Sequence, residues 1–239
     1  MAAPLVSADI MEDENDSLSS DAEFEPSDLG KKNYWDNVYE QELSNFKESG
    51  DKGEVWFGHS AMNRVIKWMK DSPLVEKEDS ILDVGCGNGV FLIELAKLGY
   101  TSLVGVDYSA SAIRLAEDIA DSEKLSTNIM FASTDLSSND YRECLQPKSF
   151  KICHDKGTYD AVSLHPDCPE EKRNIYLKHI NEVLVAGGLF LLTSCNWTSK
   201  QLIEHLQKDF DVVEELSVPT FSFGGGAGSA NVTVIFRSR

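Results

Sequence analysis

Three carboxylates, Asp83, Asp107 and Asp135, close or directly follow short apolar runs, and the first opens three alternating glycines, Asp83-Val84-Gly85-Cys86-Gly87-Asn88-Gly89. A carboxylate accepts hydrogen bonds from hydroxyl and amino groups and attracts cations, while glycines let backbone approach a ligand closely. Asp107 stands about 20 residues past the first glycine, the separation at which an acidic side chain receives both hydroxyls of a ribose. A pyrophosphate fits poorly, because it wants helix amides and positive charge beside it rather than Asp83. The dinucleotide pattern G-x-G-x-x-G also fails at its third glycine, which is Val90 here, a side chain that would crowd the packing of helix on strand. The chemistry suits a nucleoside that carries cationic groups and no phosphate. S-adenosylmethionine, with a sulfonium and an ammonium, is the expected cofactor.

Such a site needs a frame that gathers strand ends. Residues 80–84 read as a strand and 90–97 as a helix ended by Gly99; 102–106 form a second strand that stops at Asp107. Ser109 caps the next helix, which packs through Ile113, Ala116 and Ile119, and 129–132 make a third strand. The fourth strand is 150–153, or a shifted version that reaches 159–164. Pro169 opens a helix with Glu170 and Glu171 in its first turn, and Gly187-Gly188 is expected to stop it before the apolar strand 189–193. Thr198 and Gln201 make a capping box, and 210–217 and 231–237 alternate apolar and polar residues around a glycine-rich loop. Upstream, the aromatics of 33–39 predict a short helix over the cofactor side, and Met62, Val65, Ile66 and Met69 share one face of another. Trp56 and Phe57 either line a pocket or cap the core. The fold class is α/β: a doubly wound, Rossmann-like seven-stranded sheet, mostly parallel, with an antiparallel C-terminal hairpin strand.

The length of 239 residues suits one domain. Net charge is −18, and residues 1–30 supply half of it with nine acidic residues and no Lys or Arg. That stretch reads as a disordered acidic tail, with the domain running from 31 to 239 and cofactor binding expected to survive deletion of everything before Lys31. An acidic chain without a basic stripe is a poor match for a phosphate backbone, so nucleic acid is disfavoured as substrate and no nucleic acid is expected as partner; the acidity either attracts a basic protein partner or simply keeps the chain soluble. Five cysteines without a C-x-x-C pair give no disulfide framework and no metal site. No signal peptide and no apolar run of membrane-spanning length is present, so the expected setting is the cytoplasm, shared with the nucleus, and no membrane. The chain is expected to act as a monomer.

The D-x-G-x-G-x-G stretch between strand and helix resembles the first motif of the seven-strand class I methyltransferases. That resemblance implies cofactor contacts from Trp56, Asp83, Gly85, Gly87, Asn88, Asp107 and Tyr108, with Asp135 accepting from the adenine amino group and the Leu136 amide meeting the ring; Asp135 as a mere cap of its own turn is the alternative. Asp155-Lys156-Gly157-Thr158-Tyr159-Asp160 lacks the paired prolines that position a planar amine and looks like the subgroup that methylates lysine in translation elongation factors. Trp56-Phe57-Gly58, Ser194-Cys195-Asn196-Trp197-Thr198 and Phe221-Ser222-Phe223-Gly224-Gly225 add to that likeness over about residues 31–239. It implies a protein-lysine N-methyltransferase acting on elongation factor 1-alpha. A lysine amine is protonated at neutral pH, so burial among aromatics and a carboxylate that orients the cation would prepare it. Asp155 is the expected orienting group, with a structural role as its alternative, Tyr159 and Trp197 are expected walls beside it, and Phe221 and Phe223 line the substrate channel. His154 and His165 are available bases. A small-molecule methyltransferase and a non-catalytic interaction module are the rival readings.

Overall fold

The computed structural model describes residues 24–138, 141, 145, 149–216 and 231–239, together with the backbone of 222–223 and 226–227. Five parallel strands form its centre: β1 (Ser80–Val84), β2 (Ser102–Asp107), β3 (Ile129–Ser133), β4 (Phe150–Lys156) and β5 (Leu184–Ser194). Two more, β6 (Phe210–Leu216) and β7 (Val232–Ser238), complete a seven-stranded sheet in the order β3-β2-β1-β4-β5-β7-β6. β7 runs antiparallel between β5 and β6, as the alternating C-terminal strands predict. Strand order reverses between β1 and β4, the point at which an open α/β sheet leaves a crevice at its carboxyl edge.

Both faces of the sheet are buried, so the central strands are apolar on each side. Ile81, Leu103 and Ile152 point into one core, beneath α1 (Lys32–Ser49), α2 (Gly58–Asp71), α3 (Val90–Lys97) and α4 (Ala110–Ser122). Their neighbours Leu82, Val104 and Cys153 point into the other, beneath α5 (Thr158–Ser163), α6 (Pro169–Val183) and α7 (Ser199–Leu206). Met62, Val65, Ile66 and Met69 all bury on the inner face of α2, each worth about 1.5–3 kcal/mol of transfer free energy. The capping box at Thr198 and Gln201 is formed in both directions.

Four expectations change. The aromatic segment 33–39 lies within an 18-residue helix, α1, that continues until Gly50 turns left-handed at φ 77. The fourth strand reaches Lys156 and no further, because Gly157 turns left-handed and 158–163 coil into α5. Gly187 and Gly188 do not stop α6; it ends at Val183 because Leu184 extends to pair with Phe150, and the glycines lie in a bulge of β5 before pairing resumes at Leu189. Finally, residues 24–30 pack on the domain. The Ser27 amide donates to the Leu164 carbonyl at 3.2 Å, Trp35 Nε1 donates to the Leu29 carbonyl at 2.7 Å, and Phe24 meets the Trp197 ring edge-on at 4.5 Å. The packed chain therefore includes Phe24 rather than starting at Lys31; the rest of the acidic stretch lies outside the described residues. Among the described residues, no helix is long and apolar enough to cross a membrane.

Candidate active site

A cleft opens at the carboxyl edge, over the strand-order reversal. Trp56, Asp83, Gly85, Gly87, Asn88, Asp107, Tyr108, Asp135 and Leu136 all line it, together with Trp35 and Tyr39 from α1. Gly85 and Gly87 adopt φ 63 and 53, and each is crowded by protein: an added Cβ would lie 2.0 Å from Thr158 Oγ1 at the first and 2.3 Å from Tyr39 Oη at the second. The close helix-to-sheet packing of the third fingerprint glycine falls to Gly89, against Ala116 and Phe131, which leaves Val90 free to line the cleft.

Asp107 ends β2 with both oxygens engaged by backbone, Gly87 N at 3.0 Å and Ser109 N at 2.9 Å. Burial raises its pKa to about 6, against the pull of those two amides. Asp135 accepts the amide and hydroxyl of Ser137 at 2.7 and 2.6 Å, both on one oxygen, so it caps its own turn and lines the cleft at once. The Asn88 amide group reaches the other way, to the carbonyls of Lys52 and Glu54 at 3.0 and 3.1 Å. Trp56 Nε1 is buried without a hydrogen-bond partner among the described residues. Carboxylates at three successive strand ends, an orphan indole N–H and aromatic walls fit a cationic nucleoside such as S-adenosylmethionine.

The acceptor side departs from the sequence reading. Asp155, Tyr159 and Trp197 lie behind the wall of the cleft. Asp155 is 0% exposed and accepts from Thr158 N at 2.8 Å, Tyr159 N at 2.9 Å and the Tyr176 hydroxyl at 2.6 Å. It holds the first amides of α5, and burial pushes its pKa up to about 7. Tyr159 faces His205, 3.2 Å from its hydroxyl, and Trp197 donates Nε1 to Ser163 Oγ at 3.2 Å. Of the two histidines weighed as bases, His154 is wholly buried, whereas His165 reaches the cleft. Phe221 and the side chain of Phe223 lie outside the described residues.

The carboxylate that does line the cleft is Asp160, 4% exposed, receiving Ser194 Oγ at 2.5 Å and Cys195 N at 2.8 Å, with its pKa raised by burial. Sequence reasoning stopped at the first acid of the motif. Asp155 lies two residues before the Gly157 N-cap of α5 and receives the Thr158 and Tyr159 amides, so its carboxylate faces the protein interior rather than the cleft.

Residues 75–236 match the family model described as a methyltransferase domain. The chain is 47% identical over 214 residues to EEF1A lysine methyltransferase 2 of Homo sapiens, covering 90% of this chain and 88% of that protein. This chain belongs to the EEF1A lysine methyltransferase family. The relationship extends to fungal members: Protein-lysine N-methyltransferase EFM4 of Saccharomyces cerevisiae is 33% identical across 92% of this chain and 98% of its own length. Among solved structures, the N-methyltransferase NodS from Bradyrhizobium japonicum, in complex with S-adenosyl-l-homocysteine, superposes with a TM-score of 0.61. It covers 85% of this chain and 98% of its own at 17% identity, a likeness of fold alone. Within this EEF1A lysine methyltransferase family member, the cleft is bounded by features no periodicity announced: Leu29 and Gly30 from the N-terminal segment, Lys156 at the end of β4 and Asp160 in α5.

Proposed function

We propose that this chain transfers a methyl group from S-adenosylmethionine to a lysine of elongation factor 1-alpha. Identity to relatives named for that substrate supports the acceptor, and the carboxylates at the carboxyl edge support the donor. The observation that carries the reading is Asp107, fixed by Gly87 N and Ser109 N at the end of β2, where it would accept ribose hydroxyls.

When bound, S-adenosylmethionine supplies an electrophilic methyl group on a sulfonium. Asp83 and Asp135 would give the cationic and adenine ends of the cofactor acceptors, and Trp56 would line its site. Asp160 orients the incoming ammonium. Its proton must first leave to water, which costs about 4 to 5 kcal/mol for an ordinary lysine at neutral pH and less in a desolvated cleft. The walls would then position the amine for displacement at the methyl, so catalysis is chiefly positioning. Asp155 acts one layer behind, by fixing α5 and with it Asp160.

Incubating the chain with radiolabelled S-adenosylmethionine and a cell lysate tests the reading. Label in a band of the mass of elongation factor 1-alpha, lost when one of its lysines becomes Arg, supports it. Label confined to nucleic acid or small molecules overturns it.

A further inference from the structure

Each neighbour of Lys156 in the β4–α5 turn has a visible task. Asp155 holds α5, Gly157 gives a left-handed turn at φ 92, and the Thr158 hydroxyl donates to the Val84 carbonyl at 2.8 Å and fills the space over Gly85. Lys156 is half-buried in the cleft, close enough to feel the charge of Asp83 and Asp155. Its Nζ donates to the Trp56 carbonyl at 2.9 Å and stands 5.8 Å from the centre of the Phe57 ring.

Those two residues end a strap, residues 50–57, that joins α1 to α2 and forms one wall of the cleft. The first part of the strap is tied down without Lys156. Asn88 holds the Lys52 and Glu54 carbonyls, Glu42 accepts the Glu54 amide at 3.1 Å, and Lys52 pairs with Glu123. The second part has weaker ties. The Trp56 ring leans on Trp35 at 4.7 Å, and Phe57 sits at φ 64, a conformation that a side chain other than glycine keeps only under constraint. Gly157 makes room for the Phe57 ring, whose edge lies 3.0 Å from where a Cβ would stand. Burial lowers the Lys156 pKa against the opposing pull of Asp83 and Asp155, and no carboxylate pairs with its ammonium at salt-bridge distance among the described residues. The hydrogen bond to the Trp56 carbonyl therefore carries much of the compensation for desolvating this half-buried cation.

We propose that Lys156 is a positioning residue that latches the Trp56–Phe57 end of the strap over the cleft, keeping both aromatic walls in place for cofactor and acceptor. The latch is a property of the free protein; its effect on methyl transfer rests on the function proposed above.

Amide exchange in the full chain, without ligand, tests the latch directly. In Lys156→Met, exchange of amides 54–58 should accelerate by about tenfold while β1, β4 and α3 keep their protection. Lys156→Arg, which retains a cationic donor of similar reach, should restore most of that protection. The affinity of Lys156→Met for S-adenosylmethionine should fall by about tenfold, with KM rising more than kcat falls. Unchanged exchange in the strap overturns the proposal. So does loss of protection throughout the sheet, because Lys156 then serves the fold and not the strap. If the unsubstituted chain fails to bind S-adenosylmethionine while Lys156→Met still loosens the strap, the latch stands and the cofactor reading falls.

Discussion

Asp83 and His154 are cross-strand partners on β1 and β4, and His154 Nδ1 meets the Asp83 carboxylate at 2.7 Å. The imidazole lies under the Phe91 ring with centroids 3.8 Å apart, and its Nε2 has no partner among the described residues. With Nδ1 bonded to the carboxylate, the pair pins Asp83 at the strand-order reversal from within the core. His154→Phe keeps the stacking and leaves Asp83 buried without its neighbour. The expected cost is about 1–3 kcal/mol, read as a lower Tm, with weaker binding of S-adenosylmethionine. An unchanged Tm would show that the pair holds nothing in place.

Two carboxyls give opposite pH signatures for stability and binding. Burial raises Asp107 to about 6 and Asp155 to about 7, whereas an unfolded carboxyl titrates near 4. The folded chain thus keeps protons that the unfolded chain has released, so the stability these groups contribute is greatest below about 4 and is lost as pH rises through 6 to 7. In the proposed role ribose hydroxyls would donate to ionised Asp107, so cofactor affinity should move the other way. We expect Kd for S-adenosylmethionine to be about tenfold weaker at pH 5 than at pH 7.5, measured by calorimetry, with the free protein's Tm falling over the same rise in pH.

Asp155 and Asp160 should separate in kinetics. Asp155→Ala removes the acceptor of three hydrogen bonds, with an expected loss of about 2–4 kcal/mol in stability, and activity that survives in the folded fraction. Asp160→Asn should leave cofactor Kd within about twofold and lower kcat by about 100-fold, because the ammonium loses its orienting charge. Equal effects of both on kcat and Kd would assign them one role.

Truncation distinguishes the packed N-terminal segment from a detachable one. Removing everything before Lys31 strips Phe24 from Trp197 and Leu29 from Trp35. The Tm should drop by several degrees and cofactor affinity should weaken with it, since Leu29 and Gly30 line the cleft. Intact affinity would return the boundary to Lys31.

The frame was legible because it rests on local chemistry. The glycines after β1, the Pro at the start of α6 and the capping box at Thr198 each act within a few residues, and the chain order of the elements follows from them. The residues expected on the donor side line the cleft for the same reason, since their carboxylates lie at or near strand ends. The acceptor side depends on which motif residues turn toward the cleft, and that is set by a left-handed Gly157 that converts an apparent strand extension into α5. The same turn sends Asp155 inward and Asp160 to the cleft. The contact of Phe24 with Trp197 joins residues far apart in sequence, and nothing in an acidic stretch announces it.

The most direct measurement is mass spectrometry of purified elongation factor 1-alpha after incubation with this chain and S-adenosylmethionine. Methylation of one lysine by the unsubstituted protein, absent with Asp107→Ala of intact fold, is the predicted result. A chain that binds the cofactor and leaves every lysine of that factor unmodified would contradict the account.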